Sequence, residues 1–582
     1  MKTSELTAKL YWKLLPVQIF SCFVLSVNSL VDGLFVGRCI GTDTMAVIGL
    51  FNPVMIIFSA LAYVTMSGAQ LLCCRAVGRG DPEQGRQIFA SGFFFLTGVG
   101  ALSSLVLFLF RMPIAAVLGA SGAIQESLAA YALGISPGVI AELLSIYLMA
   151  FLQINGKDRH SYAGLAVTVT ANVVLDAVFT GALRMGILGI GLSTSLSYLL
   201  SLLPMLPPFF EKESTIRVVI KRISVRYLYE IGKAGMPAVM FNVGIFLKSF
   251  IMNRALLIYG NVAAVSVLTM QGVLCGLTGA VPFGVGATTL LLASVYIGEE
   301  DRTSLKQLLR VSLRAGIGLT GIVVLGMILM SHFIIGLFGI TAEPAWSLAL
   351  HMLWIFPFFL PLNAVVSILL KLYQSAGKIT FVNGMTVAES ALPAVFAVLL
   401  LPLVGIDAAW YAFPLSELFC IAVIACYGLI GIDSGSGKLF AFLKLPQDFG
   451  VSAADRLELN VQSMAETMEL SEKVVDFCDS HGIEKRRSMV AGLAIEEMAG
   501  NIVTHGFSGK KGELIRIFVL YKKGILTLRI RDNCKRFDPK QQIRLFHPEN
   551  PEEGMGIRMI AGMSKEMEYQ NSFGLNVLTI KV

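Results

Sequence analysis

Charge is the scarcest ingredient of this 582-residue chain: Asp, Glu, Lys and Arg make up 15% of it, against 55% hydrophobic residues. A soluble domain carries about 25% charged residues, so a wholly water-soluble protein is excluded. Cysteine chemistry is missing as well. Nine cysteines are scattered at Cys22, Cys39, Cys73, Cys74, Cys275, Cys420, Cys426, Cys478 and Cys534, with no Cys-x-x-Cys and no Cys/His ligand spacing. That leaves neither a disulfide framework nor a zinc site. The opening MKTSELTAKLYWKLLP has no small-residue cleavage site and runs into a full-length apolar segment, so no signal peptide is expected.

What the chain has instead is apolar length. Runs of roughly 20 residues or more, each able to cross a bilayer, start near residues 14, 46, 88, 130, 161, 187, 235, 264, 312, 350, 380 and 408. Basic residues gather in alternate gaps: Arg75, Arg79 and Arg86; Lys157 and Arg159; Lys212 to Arg226; Arg302, Lys306 and Arg310; Lys378. The positive-inside rule then predicts a multi-pass protein of the cell membrane with both termini in the cytoplasm.

The apolar part also repeats. Gly41 in IGTDTMAVIGL returns as Gly260 in LIYGNVAAVSVL, Gln153-Ile-Asn-Gly-Lys157 as Gln374-Ser-Ala-Gly-Lys378, and Gly78 with Asp81 as Gly298 with Asp301, at offsets of 219, 221 and 220. Six crossings restore the orientation, so the repeat predicts two parallel six-helix halves, 1–220 and 221–432, around a central cavity, a recurring transporter plan.

The stretches VDGLFVGRCIGTDTMAVIGLFNPV, SGAQLLCCRAVGRGD and ANVVLDAVFTGALRMGILGIGLSTSLS resemble the signatures of the multidrug and toxic compound extrusion (MATE) family, over about residues 10 to 430. The resemblance implies a twelve-helix secondary antiporter that alternates between inward-open and outward-open states. It would exchange H⁺ or Na⁺ for a small organic substrate across the lipid bilayer.

An ionisable side chain at mid-bilayer costs about 2.5–3.5 kcal/mol, so each invites an explanation. Asp32 lies in the first apolar run, Asn172 and Asp176 share one face of the fifth, and Thr194 lies in the sixth. These are oxygen donors suited to a proton or Na⁺, and the resemblance places the cation site of the first half on them. The alternative is that Asp176 is a structural partner of nearby Ser and Thr groups. In the second half Lys248, Lys371, Glu389 and Glu417 fall within apolar runs. They either neutralise one another or line a cavity for a charged substrate. Two lysines there would repel a cationic drug, and Glu389 departs from the basic residue expected nearby in some MATE relatives.

Composition shifts after Tyr427. Residues 433–449 read as a linker, and the Gly-Ser-Gly-Lys within it fails as a phosphate-binding P-loop, because Leu439 stands where Ser or Thr is required and no strand precedes it. Residues 450–582 read as a soluble α+β two-layer domain with helices on one face of an antiparallel sheet. Glu497-x-x-x-Asn501, then Asp532-Asn-Cys-Lys-Arg-Phe-Asp538, then Gly554-Met-Gly556 follow in order. This order resembles the GHKL ATPases, and among them the anti-sigma-factor serine kinases. The resemblance implies Glu497 as general base, Asn501 as the Mg²⁺ ligand, Asp532 as acceptor of the adenine amino group, and Gly554 and Gly556 as the phosphate-side glycines. Cys534 stands where the pattern has glycine.

A cation-coupled antiporter does not need ATP to move substrate, so the tail reads as a regulator. It would bind ATP–Mg²⁺ and either gate transport or phosphorylate a cytoplasmic partner protein; no nucleic-acid partner is expected. The alternative is a membrane receptor whose twelve-helix part senses a ligand and whose kinase-like tail signals. A lipid-linked precursor flippase is a third reading.

Overall fold

The computed structural model describes the chain apart from residues 1–2, 36–41, 212–213, 220–223, 260–261, 341–342, 431–437, 453, 462–463, 507–514 and 540–554. In hydrocarbon every backbone N–H and C=O must be satisfied within its own segment, so the apolar runs form helices. These are α1 (Thr3–Phe35), α2 (Thr42–Arg79), α3 (Pro82–Val117), α4 (Gly122–Ile135), α5 (Val139–Ile154), α6 (Asp158–Asp176) and α7 (Ile187–Met205). Then follow α8 (Val225–Tyr259), α9 (Val262–Thr278), α10 (Ala280–Gly298), α11 (Arg302–Leu329), α12 (Ser331–Leu337), α13 (Ala345–Ile355), α14 (Phe359–Ser375), α15 (Ile379–Val404) and α16 (Ala408–Leu429). Among the described residues ten stretches are long and apolar enough to cross a membrane. The last of them, Ile379–Leu429, contains both α15 and α16, and α1 is a further apolar helix, in keeping with the dozen runs in the sequence.

The repeat reappears in backbone detail. Short 3₁₀ turns at Ser136–Gly138 and Phe356–Phe358 break the α4–α5 and α13–α14 spans at Pro137 and Pro357. The left-handed glycines Gly119 and Gly339, Gly156 and Gly377, and Gly186 and Gly405 pair off at the same spacing. Asp81 caps α3 through Gln84 N, and Asp301 caps α11 through Thr303 N and Ser304 N. The buried amides match too: Gln153 donates to Leu14 O and Gln374 to Ala234 O.

The two sets of helices close against each other at one end. A Cβ on Gly68 would overlap the Ile231 carbonyl, one on Gly235 the Val64 carbonyl, and one on Gly78 the Val295 carbonyl, so these backbones meet without side chains between them. Arg75 spans the same seam to donate to Ser375 O.

After the short α17 (Lys438–Phe442), the tail forms β1 (Arg456–Val461), α18 (Met464–Ser480), α19 (Lys485–Asn501), β2 (Ile515–Lys522), β3 (Ile525–Asp532), α20 (Met555–Met563), β4 (Glu566–Ser572) and β5 (Leu575–Lys581). The sheet is antiparallel throughout, in the order β1-β2-β3-β5-β4. The β2–β3 turn has positive φ at Lys523 and Gly524, the geometry of a tight hairpin. Alternate residues sort the faces. Ile515, Ile517, Val519, Leu528 and Ile530 pack on α18, α19 and α20, as the α+β reading predicts. The other face carries Arg516, Phe518, Arg529 and Arg531 and docks on the closed end of the membrane helices.

That docking touches both sets of helices. On the first, Gln570 Nε2 donates to Val77 O at 2.7 Å, Phe573 N to Ile154 O at 2.9 Å, and Thr215 Oγ1 to Asn571 O at 2.7 Å. On the second, the Glu299-Glu300-Asp301 turn pairs with Arg531, Lys522 and Arg456, the last at 2.9 Å. Burial alone would raise the Asp301 carboxyl, but the Arg456 and Arg531 guanidiniums and the Ser304 hydroxyl hold it down at about 2.

Candidate functional site

The first site lies between α6 and α7. Helical spacing puts Asn172 and Asp176 one turn apart, and α6 then passes into a π-helical turn, Ala177–Ala182, that continues the same polar face to Thr180. Asn172 and Asp176 are 1% and 0% exposed, which in an apolar bundle demands partners. Ser193 of α7 donates to Asp176 Oδ1. Both amide atoms of Asn172 and the Thr180 hydroxyl are buried and unbonded. Amide, carboxylate and two hydroxyls thus lie buried on α6, its π-helical turn and α7, oxygen donors of the kind that suit a proton or a monovalent cation. Thr194, named from sequence, turns its hydroxyl to Ile190 O at 3.0 Å, while its neighbour Ser193 reaches the carboxylate. Ser193 and Thr180 were legible only as members of a Ser/Thr-rich stretch. Asp32 is on α1, and its side chain lies outside the described residues.

In the second set of helices, neither Lys248 nor Lys371 is ion-paired with Glu389 or Glu417. Instead Asn363 of α14, not singled out from sequence, donates through Nδ2 to Glu389 Oε1 at 2.7 Å and to Glu417 Oε1 at 3.0 Å. One amide thereby ties α14 to α15 and α16. Lys371 donates to Gln374 Oε1 at 3.2 Å, and the Lys248 ammonium lies 5.3 Å from the Phe413 ring centre. The second Glu417 oxygen is buried and unbonded.

In the tail the motifs converge. Asp532 ends β3, and Asn576 Nδ2 donates to its Oδ1 at 2.7 Å, as does Cys534 N at 3.0 Å. Burial pushes this carboxyl up to about 6, with those two donors pulling the other way. Glu497 and Asn501 sit on the last two turns of α19, which relaxes into a π-helical turn at Ile502–Gly506. Lys535 N donates to Gly506 O at 3.0 Å, joining this turn to the Asp532 loop. A Cβ at Gly556 would overlap the Glu497 carboxylate, so only glycine lets the start of α20 approach the α19 acid. An acid and an amide on one helix face, beside a buried carboxylate at a strand end, are the groups that could hold a metal-bound nucleotide. Cys534 packs towards the helical layer against Gly506. Gly554 and the Gly-Ser-Gly of the linker lie outside the described residues. Among the described residues no group of three or more His, Cys, Asp or Glu gathers to hold a metal by itself.

The fold is that of a polytopic helical membrane protein with an appended α+β module. The MatE family model matches residues 18–178 and 237–399, more than half of the chain, and a histidine kinase-like ATPase domain model matches residues 461–582. The chain belongs to the MatE family and carries a histidine kinase-like ATPase domain at its C-terminal end. It is 23% identical to the multidrug export protein MepA of Staphylococcus aureus (strain MSSA476) over 66% of this chain and 85% of that one. It is 22% identical to the probable multidrug resistance protein YoeA of Bacillus subtilis (strain 168) over 69% and 89%. Its fold matches an outward-facing multidrug resistance MATE family transporter of the MOP superfamily, with a TM-score of 0.67 at 19% identity over 73% of this chain and 96% of that one.

Proposed function

We propose that the chain is a cation-coupled antiporter that exports a small organic substrate, with two transporter halves at 1–220 and 221–432, a linker at 433–449 and a regulatory ATP–Mg²⁺-binding domain at 450–582. The observation that carries the coupling is the buried Asn172–Asp176–Thr180 face with Ser193 across from it. A cation bound there satisfies the orphaned amide oxygen and the hydroxyl oxygen, and its release costs them again. That is the differential binding an exchanger needs to drive a conformational change. The similarity to MepA and YoeA supports export of drug-like molecules. The seam is shut at the tail-bearing end, which we assign to the cytoplasm from the basic loops there; this corresponds to an outward-facing state.

For the tail, Glu497 serves as base and Asn501 as the Mg²⁺ ligand, with Asp532 reading the adenine amino group and Gly556 admitting the phosphates. Reconstituted full-length protein tests both parts. An imposed H⁺ or Na⁺ gradient drives dye exchange in the wild type and fails to do so in Asp176→Asn. Calorimetric ATP–Mg²⁺ binding survives Glu497→Ala and is lost in Asn501→Ala. Gradient-driven exchange that is intact in Asp176→Asn would sink the coupling assignment, and a folded tail that binds no nucleotide would sink the other.

A further inference from the structure

An unbroken chain of hydrogen bonds runs from the proposed nucleotide site to Thr215, in the loop that joins α7 to α8. Asp532 Oδ1 accepts from Asn576 Nδ2 at 2.7 Å, and Asn576 Oδ1 accepts from Asn571 Nδ2 at 2.8 Å. Asn571 in turn receives Thr215 Oγ1 at its carbonyl, at 2.7 Å, and donates its own N–H back to that hydroxyl at 3.1 Å. The β4–β5 turn beside it seats Gly574 against Gly156, where a Cβ would overlap the Gly574 nitrogen, and Phe573 N bonds Ile154 O. One residue before Asp532, on the opposite face of β3, Arg531 pairs with Glu299 in the turn that follows α10. The proposed base-reading strand end is therefore tied to both sets of membrane helices, at the end where their backbones meet.

In this docked arrangement the protein's own groups engage the proposed nucleotide site. Asn576 holds Oδ1 of Asp532, and Gly556 packs directly on Glu497. An adenine amino group on Asp532 competes with Asn576 for the carboxylate, and that contact is the anchor of the Asn576–Asn571–Thr215 chain. A ligand shifts an equilibrium only by binding one state better than the other, and here the docked state is the one that binds less well.

We propose that the tail is a nucleotide-released clamp: docked and nucleotide-free it staples the two halves shut at the tail-side seam, and ATP–Mg²⁺ binding at Asp532 frees the β4–β5 hairpin so that the seam can open. This rests on the reading of the tail as a nucleotide binder. The coupling is reciprocal, so a transporter locked with its seam shut binds nucleotide more weakly.

The test uses the full-length chain in lipid nanodiscs, with the nine native cysteines replaced and Ile154→Cys paired with Phe573→Cys, whose backbones are hydrogen-bonded and which stand outside the Asn576–Asn571–Thr215 chain. Disulfide formation reports docking, and nucleotide binding is measured on the same sample by calorimetry. The clamp predicts that a saturating non-hydrolysable ATP analogue with Mg²⁺ slows crosslinking about tenfold, within the usual range of allosteric coupling. Binding with an unchanged crosslinking rate overturns the clamp and leaves the tail a nucleotide binder. No binding at all overturns that underlying reading and the clamp with it. A single charge reversal in a buried pair can unfold the tail, so the ion pair is tested by exchange. Arg531→Glu slows nucleotide-free crosslinking, and adding Glu299→Arg restores it. A well-folded double variant that stays slow overturns the role given to this pair.

Discussion

Gly78 and Gly298 sit back to back across the tail-side seam. A Cβ on Gly78 would overlap the Val295 carbonyl and come within 3.0 Å of the Gly298 Cα, while a Cβ on Gly298 would overlap the Arg75 carbonyl. Arg75 and Val295 are themselves 220 positions apart, as Gly78 and Gly298 are. The contact is therefore self-complementary, the arrangement a two-fold interface imposes, here within one chain. Substituting Gly298→Val forces the two backbones apart. The expected outcome is a loss of the shut seam, with about 1–3 kcal/mol of overpacking strain in the shut state. Maleimide labelling of a cysteine placed at Ser67 rises in the variant if the seam has opened, and an unchanged rate would contradict the close-contact argument.

Ser193 is the one described α7 side chain that donates to Asp176. Removing it leaves the carboxylate in place but costs a hydrogen bond to a charged group, about 1.5–3 kcal/mol. Ser193→Ala is expected to retain exchange with the cation dependence shifted to higher concentration, whereas Asp176→Asn abolishes the dependence. Titrating the driving cation in proteoliposomes separates the two; identical curves for Ser193→Ala and wild type would remove Ser193 from the site.

The pH dependence of the tail follows from Asp532. Burial raises its folded pKa to about 6, so the folded tail keeps a proton that the unfolded chain has already lost between roughly pH 4 and 6. Its contribution to stability is full below that window and lost as pH rises through it. Nucleotide affinity runs the other way, since the ionised carboxylate is the better acceptor for an adenine amino group. Binding should strengthen as pH rises through about 6 and level off above roughly pH 7. Calorimetry across that range checks this, and an affinity that falls with rising pH would exclude Asp532 as the base acceptor.

Glu299 and Arg531 are 4% and 7% exposed, so deleting one leaves the other buried without its pair. Glu299→Ala should weaken docking of the tail by about 3 kcal/mol, the usual cost of breaking a buried ion pair from one side. Limited proteolysis of the linker reads this as faster release of a tail fragment. Lys523→Ala, whose partner Asp448 is exposed, serves as the control and should change the rate little.

Much of this was legible in the sequence because it is local or periodic. Apolar runs of bilayer length became the membrane helices, and the recurrence of Gly78-x-x-Asp81 as Gly298-x-x-Asp301 became two equivalent helix caps beside a shared seam. The alternation in IRIFVLYK and ILTLRIRD gave β2 and β3, and Glu497 and Asn501 fell on one helix as their spacing requires. The arginines alternating with aliphatics at Arg529 and Arg531 were an available sign that the second face of the sheet is covered too.

The tertiary structure alone decided what those elements meet. Asn363 gathers Glu389 and Glu417 from two other helices, Ser193 reaches Asp176 from the facing helix, and Arg531 finds Glu299 across 232 positions of chain. Hydrophobic period and motif order report the conformation of a segment and the face it buries. A hydrogen bond or an ion pair depends on distance and direction to within a few tenths of an ångström. That precision comes only from how rigid elements, far apart in sequence, pack on one another.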